Sequence, residues 1–254
     1  MLSLSYDPQL SRVRITADGL PPVPATVERS TDQVRWTTVR GGAGITPVNG
    51  EISLDDYEFA ADVENFYRAG GQTASITPVL DGVWLKSLAR PFLNRPVEVR
   101  SFSPVVRRSR GGVFPIVGRS RPVAVTELHG SRQWTLELNA RTREEADALD
   151  LLISTGEVQF VHVPTTGRLA AVPGGYVALG DTTAEVLPTL DLQLQVISLP
   201  LVEVAPPGPD VIPAVGTCQT VLNSYATCAD VLAAFATCAD LLQLVGSPGD
   251  VIVE

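Results

Sequence analysis

Lysine is almost missing from these 254 residues: Lys86 stands alone beside eighteen arginines. That imbalance is more simply the mark of a GC-rich genome than of chemistry. Histidine is nearly as scarce. His129 and His162 are too isolated for a metal site and have no nucleophile motif beside them, so both are expected to be turn or strand residues. Cys218, Cys228 and Cys238 all fall near the C-terminus and form no C-x-x-C pair, which indicates neither a disulfide framework nor a zinc site; reduced thiols are expected. No stretch approaches the roughly eighteen apolar residues of a membrane span, and Met1 to Leu10 has no basic segment followed by an apolar one. A soluble protein made in a cytoplasm is expected. Positive charge is also in deficit, and a net charge of -9 opposes general affinity for nucleic acid. No nucleotide-binding glycine motif or G-x-S-x-G elbow occurs, and the glycine pairs punctuate strands. Glu144, Glu145, Asp147 and Asp150 cluster, but at the start and on the outer face of an expected helix, where its dipole and solvent account for them. No catalytic residue, metal ligand or cofactor is expected.

Proline (20) and glycine (21) are plentiful and the apolar runs are short and alternating, which points to β domains joined by turns. The strongest pattern lies between Arg121 and Pro164. Val123 and Val125 alternate with Ala124 and Thr126, and Trp134, Leu136 and Leu138 alternate with polar residues, as in half-buried strands. Thr142 stands at an N-cap with Glu145 in capping-box position. An apolar stripe of Ala146, Leu149, Leu152 and Ile153 then predicts a helix over 142–155, stopped by Gly156 before a strand from Val158.

Ahead of this module, residues 1–89 carry short runs at 12–18, 25–30, 34–40, 51–56, 63–69 and 83–88, spaced as in a β-sandwich. Trp36 and Tyr67 are its candidate core aromatics. The phrases STDQVRWTTVRGG and DYEFAADVENFYRAGG resemble fibronectin type III-like modules, which bind or space rather than catalyse. Leu88 to Pro96 reads as a joint, and a second β domain spans 90–204. Within it SPVVRRSRGG places Arg107, Arg108 and Arg110 on a basic loop, either a solvated hairpin tip or an intersubunit arm meeting acidic surface on a neighbouring copy. From Lys86 to Arg121 nine bases face Glu98 alone, while after Arg143 the only base is Arg168. That segregation is either a skew of solvated charge or suited to head-to-tail contacts between copies.

Residues 205–216 read as a proline-rich linker. A ten-residue repeat follows over 217–246, with an extension over 247–254: TCQTVLNSYA, TCADVLAAFA and TCADLLQLVG. One straight helix would scatter its Cys and Leu positions, so two-turn helices are expected, each restarted at Thr217, Thr227 or Thr237. Asp230 and Asp240 complete the capping boxes. Such short helices need packing on one another or on a partner, which makes Cys218, Cys228, Leu232, Phe235, Cys238 and Leu242 interface candidates. The cysteines look like small buried apolar residues rather than ligands.

The Y-R-A-G-G ending of the first domain, V-W-L-K-S-L-A-R-P-F-L-N-R-P at the joint, G-S-R-Q-W-T-L-E-L with E-E-A-D-A-L-D-L-L, P-G-G-Y-V-A-L-G-D and the threonine-started repeats together resemble minor tail proteins of long-tailed actinobacterial bacteriophages. In that family the repeat position held here by Cys is often aromatic. The sheet-plus-helix module is similar to tail-tube and distal-tail proteins. The resemblance implies two packed sheets with a flanking helix, assembled as a ring, hexamer or trimer, around the DNA channel. It implies a non-enzymatic structural virion protein of the siphophage tail tip or baseplate. As a distal-tail or adaptor component it would join tail tube, hub and tip proteins, with no membrane partner and no specific nucleic acid. The basic loop would serve ring contacts or line the channel. The alternative is a host-surface or carbohydrate-binding tail module, and a wall hydrolase is third.

Overall fold

The computed structural model describes residues 1–189, 192–208 and 227–234, and the protein is mainly β with several sheets. β1 (Leu2–Asp7), β2 (Arg12–Ala17) and β5 (Ile52–Asp56) form one antiparallel sheet in the order β1-β2-β5. β3 (Glu28–Ser30), β4 (Thr37–Thr38), β6 (Asn65–Ala69) and β7 (Gln72–Ile76) form a second, ordered β4-β3-β6-β7. Alternation sends Val13, Ile15 and Ala17 inward from β2, where they meet Ile52, Val27 and Tyr67 in a continuous apolar cluster.

Tyr67 is fully buried, as its place in the alternation requires, and its hydroxyl donates to Asp56 at 2.9 Å. Trp36 is a correction. The backbone N–H groups of Val34 and Arg35 donate to the Asp32 carboxylate, and Gln33 takes a φ of +58°, so a turn occupies the first half of the expected strand 34–40. Trp36 is left partly exposed with the Arg68 guanidinium 4.2 Å from its ring centre. Trp84, from the next unit, joins the sandwich's apolar cluster in its stead.

The second unit begins at β8 (Val83–Ser87), which the sequence division assigned to the first domain. It continues through β9 (Arg95–Phe102), β10 (Val106–Arg107), β11 (Gly112–Phe114), β12 (Val123–Val125) and β13 (Arg132–Ala140). After helix α1 (Arg143–Ser154) come β14 (Gln159–His162), β15 (Gly175–Leu179), β16 (Thr183–Thr189) and β17 (Leu192–Glu203). The expected two packed sheets are instead one sheet that closes on itself. Following the pairings β13-β9-β8-β14-β15-β17 returns to β13, because the twelve-residue β17 is long enough to bond β15 at one end and β13 along most of its length. Closure leaves no free edge along that circuit. Paired residues face the same side, so Trp134 opposite Leu201, Leu136 opposite Leu199 and Leu138 opposite Ile197 fill the interior.

Helix α1 adds Ala146, Leu149 and Leu152 to that core. Its start follows the capping prediction. The Glu145 N–H donates to Thr142 Oγ1 at 3.1 Å, while Glu145 accepts the Arg141 N–H at 2.7 Å. Its end falls before Gly156, whose φ of +65° suits a residue without a side chain. Glu144, Asp147 and Asp150 face solvent.

Candidate functional site

Between Phe102 and Arg132 the chain leaves the barrel and returns. β10 is held to β13 through Val106 and Arg107, and beyond it β11 and β12 pair only with each other among the described residues. The alternation at 123–126 therefore does not bury a face: Val123 and Val125 are exposed, as are Val113, Phe114, Val117 and Leu128. Arg107, Arg108 and Arg110 are exposed at the base of this arm, and Arg119 and Arg121 near its tip. Arg108 Nε donates to Gln133 at 3.1 Å; none of these five arginines forms a salt bridge among the described residues. The arm joins one end of the nine-residue β13, about 30 Å long at normal strand rise, and the acidic start of α1 follows the other end.

Of the tail candidates, Thr227, Cys228, Asp230 and Leu232 fall within the described residues. Helix α2 (Cys228–Ala234) is the expected two-turn element. Thr227 and Asp230 cap it reciprocally: the Asp230 N–H donates to Thr227 Oγ1 at 3.2 Å, and the Thr227 N–H donates to Asp230 Oδ2 at 2.9 Å. Thr217, Cys218, Phe235, Thr237, Cys238, Asp240 and Leu242 lie outside the described residues.

The junction of the two units is the feature that sequence reasoning missed. Strand β8 is buried on both faces, with Val83 and Leu85 in the barrel core and Trp84 and Lys86 turned toward the sandwich. Lys86 Nζ is fully buried and donates at 2.8 Å to the carbonyls of Ser11 and Tyr57; His162 Nδ1 lies 2.9 Å away. Ser11 holds a φ of +46°, a left-handed conformation costly for a non-glycine residue, and the ammonium takes the carbonyl of that strained turn.

Burial pulls Lys86 well below the ordinary lysine value, opposed by the charges of Asp56 and Glu58. Burial, then the charges of Lys86 and Arg29, pulls His162 well below the ordinary histidine value, while its hydrogen bond to the Phe59 backbone acts the other way. With that bond held by one ring N–H, neutral His162 presents Nδ1 as an acceptor. Three acceptors then surround Nζ, matching the three donors of an ammonium. Geometry thus favours charged Lys86 beside neutral His162 despite the downward pull of burial.

Further links reinforce the joint. Across it, Glu58 receives the Tyr176 hydroxyl at 2.7 Å and Asp62 receives the Thr165 N–H at 2.8 Å, while on the sandwich side Asp56 receives Arg29 and the Tyr67 hydroxyl and Glu58 receives Arg40 at 2.8 Å. Beside these contacts opens a cleft of about 630 Å³, lined from both units. The one sequence signal for this joint was the lone lysine in the apolar strand VWLKS.

Among the described residues no group of three or more His, Cys, Asp or Glu is placed to hold a metal, and no helix is long and apolar enough to cross a membrane. Comparison with protein-family models and with curated proteins finds no match to this chain.

Proposed function

We propose that the protein is a structural component of a bacteriophage tail tip, of the distal-tail or adaptor kind, that assembles with copies of itself through the arm of the barrel domain. The observation that carries this reading is the arm itself: a hairpin with no strand partner beyond its own among the described residues, exposing apolar and arginine side chains together. An isolated two-stranded hairpin gains little stability in water, and exposed apolar surface of this kind suits burial against another chain. The acidic first turns of α1, at the far end of β13, offer the complementary charge for head-to-tail contact, a heterologous geometry that generates rings when the rotation closes. The three- and four-stranded sheets of the N-terminal unit support its reading as a fibronectin III-like module that spaces or binds.

Native mass spectrometry of the full chain tests the proposal. A closed oligomer is expected for the native sequence and a monomer for Arg107→Glu/Arg108→Glu/Arg110→Glu, with assembly partly restored by combining it with Glu144→Lys/Asp147→Lys. Monomers of the native chain at every concentration would refute self-assembly. Rings that survive truncation after Glu203 would assign the tail to a neighbouring protein rather than to ring closure.

A further inference from the structure

The cleft at the junction lies apart from the arm, and its chemistry is that of a binding site. Phe160 on β14 and Tyr176 on β15 are directly paired in the barrel, and their alternation turns both rings outward toward the sandwich. Their centroids are 4.9 Å apart with planes inclined at 36°, so two half-exposed rings form one bent apolar floor. The sandwich supplies the opposite wall with Arg29, Asp32 and Arg35.

Polar capacity there is not used up. Among the described residues Arg29 donates only through Nη1, to Asp56, and exposed Arg35 makes no ion pair. Asp32 accepts the Val34 and Arg35 N–H groups and the Ser30 hydroxyl through Oδ1, leaving Oδ2 without a hydrogen bond among the described residues. The charges nevertheless cancel locally: Arg29 lies against Asp56, Arg40 against Glu58, and Arg35 beside Asp32, whose carboxyl is held below its usual value first by the Arg35 and Val34 N–H groups.

A cleft of this volume at a domain interface, with an apolar floor and a few convergent polar groups, has the anatomy of a small-molecule site. Charge balance disfavours a phosphate or polycarboxylate, which would need a surplus of cations. An aromatic floor with donors and acceptors on one rim suits a molecule with an apolar C–H face and a hydroxylated edge. We propose that this junction cleft binds a neutral saccharide, its ring stacked on Phe160 and Tyr176 and its hydroxyls bonded to Arg29, Arg35 and Asp32. The inference goes beyond self-assembly and is independent of the arm.

Saturation-transfer NMR and calorimetry on the full chain, with maltotriose, cellotriose, xylotriose, arabinotriose and triacetylchitotriose as probes, test it. At least one probe is expected to bind with a Kd on the order of 1 mM. Tyr176→Ala and Phe160→Ala are expected to weaken that binding at least about tenfold. Tyr176→Phe, which keeps the ring, should retain it. Arg35→Ala lies at an exposed site outside either core, so it probes the rim without threatening the fold, and should weaken binding about threefold while leaving the native mass spectrum unchanged. Absence of binding by every probe, or binding untouched by both alanine variants at the rings, would overturn the proposal. Loss of rings on arm charge reversal with saccharide binding intact would separate this site from assembly.

Discussion

Acidification is expected to loosen the joint before it touches the rest of the molecule, because His162 is buried neutral within 2.9 Å of the Lys86 ammonium. Its folded-state pKa lies well below 6.5, whereas the unfolded chain protonates the same ring near that value. Below about pH 6.5 the unfolded state therefore binds a proton that the native state refuses, and stability falls by about 1.4 kcal/mol per pH unit until the native ring also protonates. Even one pH unit of that slope is a large part of a marginal stability. Glu98 and Glu203, both held below 4.5 chiefly by arginine hydrogen bonds, lose their contribution only at lower pH, so they leave this window clear. Urea titrations at half-unit pH steps measure the slope. His162→Phe is expected to flatten it, and Lys86→Met should make it shallower by removing the neighbouring cation. A flat native profile, or an unchanged slope in His162→Phe, would refute the assignment of a neutral ring facing an ammonium.

Three smaller tests address the fold. Leu199→Ala, at a fully buried position opposite Leu136, is expected to cost about 2–5 kcal/mol in the same denaturation assay. Thr142→Ala removes the side-chain acceptor of the α1 cap and is expected to cost about 1 kcal/mol. Tyr67→Phe and Trp36→Phe should diverge. The first strips Asp56 of a buried donor and is expected to cost about 1–3 kcal/mol, while the second changes a surface ring and should stay within about 0.5 kcal/mol.

What could be read in advance was local. The α1 cap depends on Thr142 and Glu145, three residues apart, and the inward face of β13 depends only on alternation, so both were legible. Residues 123–126 show the limit of the same rule: the period was correct, but it describes a ribbon, and nothing in four residues says whether another sheet covers it. Strands β1, β7 and β16 were not anticipated, since LSLSYD, QTASI and TAEVLPT carry few large apolar residues and form on edges recruited by stronger neighbours. Barrel closure rests on pairing Leu136 with Leu199, a relation between distant segments that periodicity cannot express. Lys86 misled in another way. A scarce residue looked like genome composition, whereas its carbonyl partners lie 75 and 29 residues away.

The joint also fixes where the C-terminal segment starts. Strand β17 ends at Glu203 on the barrel, yet Arg40 of the sandwich donates at 2.6 Å to the Gly208 carbonyl while bonding Glu58 with its other nitrogens. Five residues thus carry the chain from one unit onto the other, ending against a buried ion pair. The linker is therefore a strap at its beginning, whatever freedom its prolines suggest. Rotating the units would have to break Tyr176–Glu58, Lys86–Ser11 and Thr165–Asp62 together, three links spread over the joint. Groups that act as a unit in this way resist small displacements more than their separate strengths suggest. A joint tied at these points couples the barrel that carries the arm to the sandwich, as the proposed adaptor role requires.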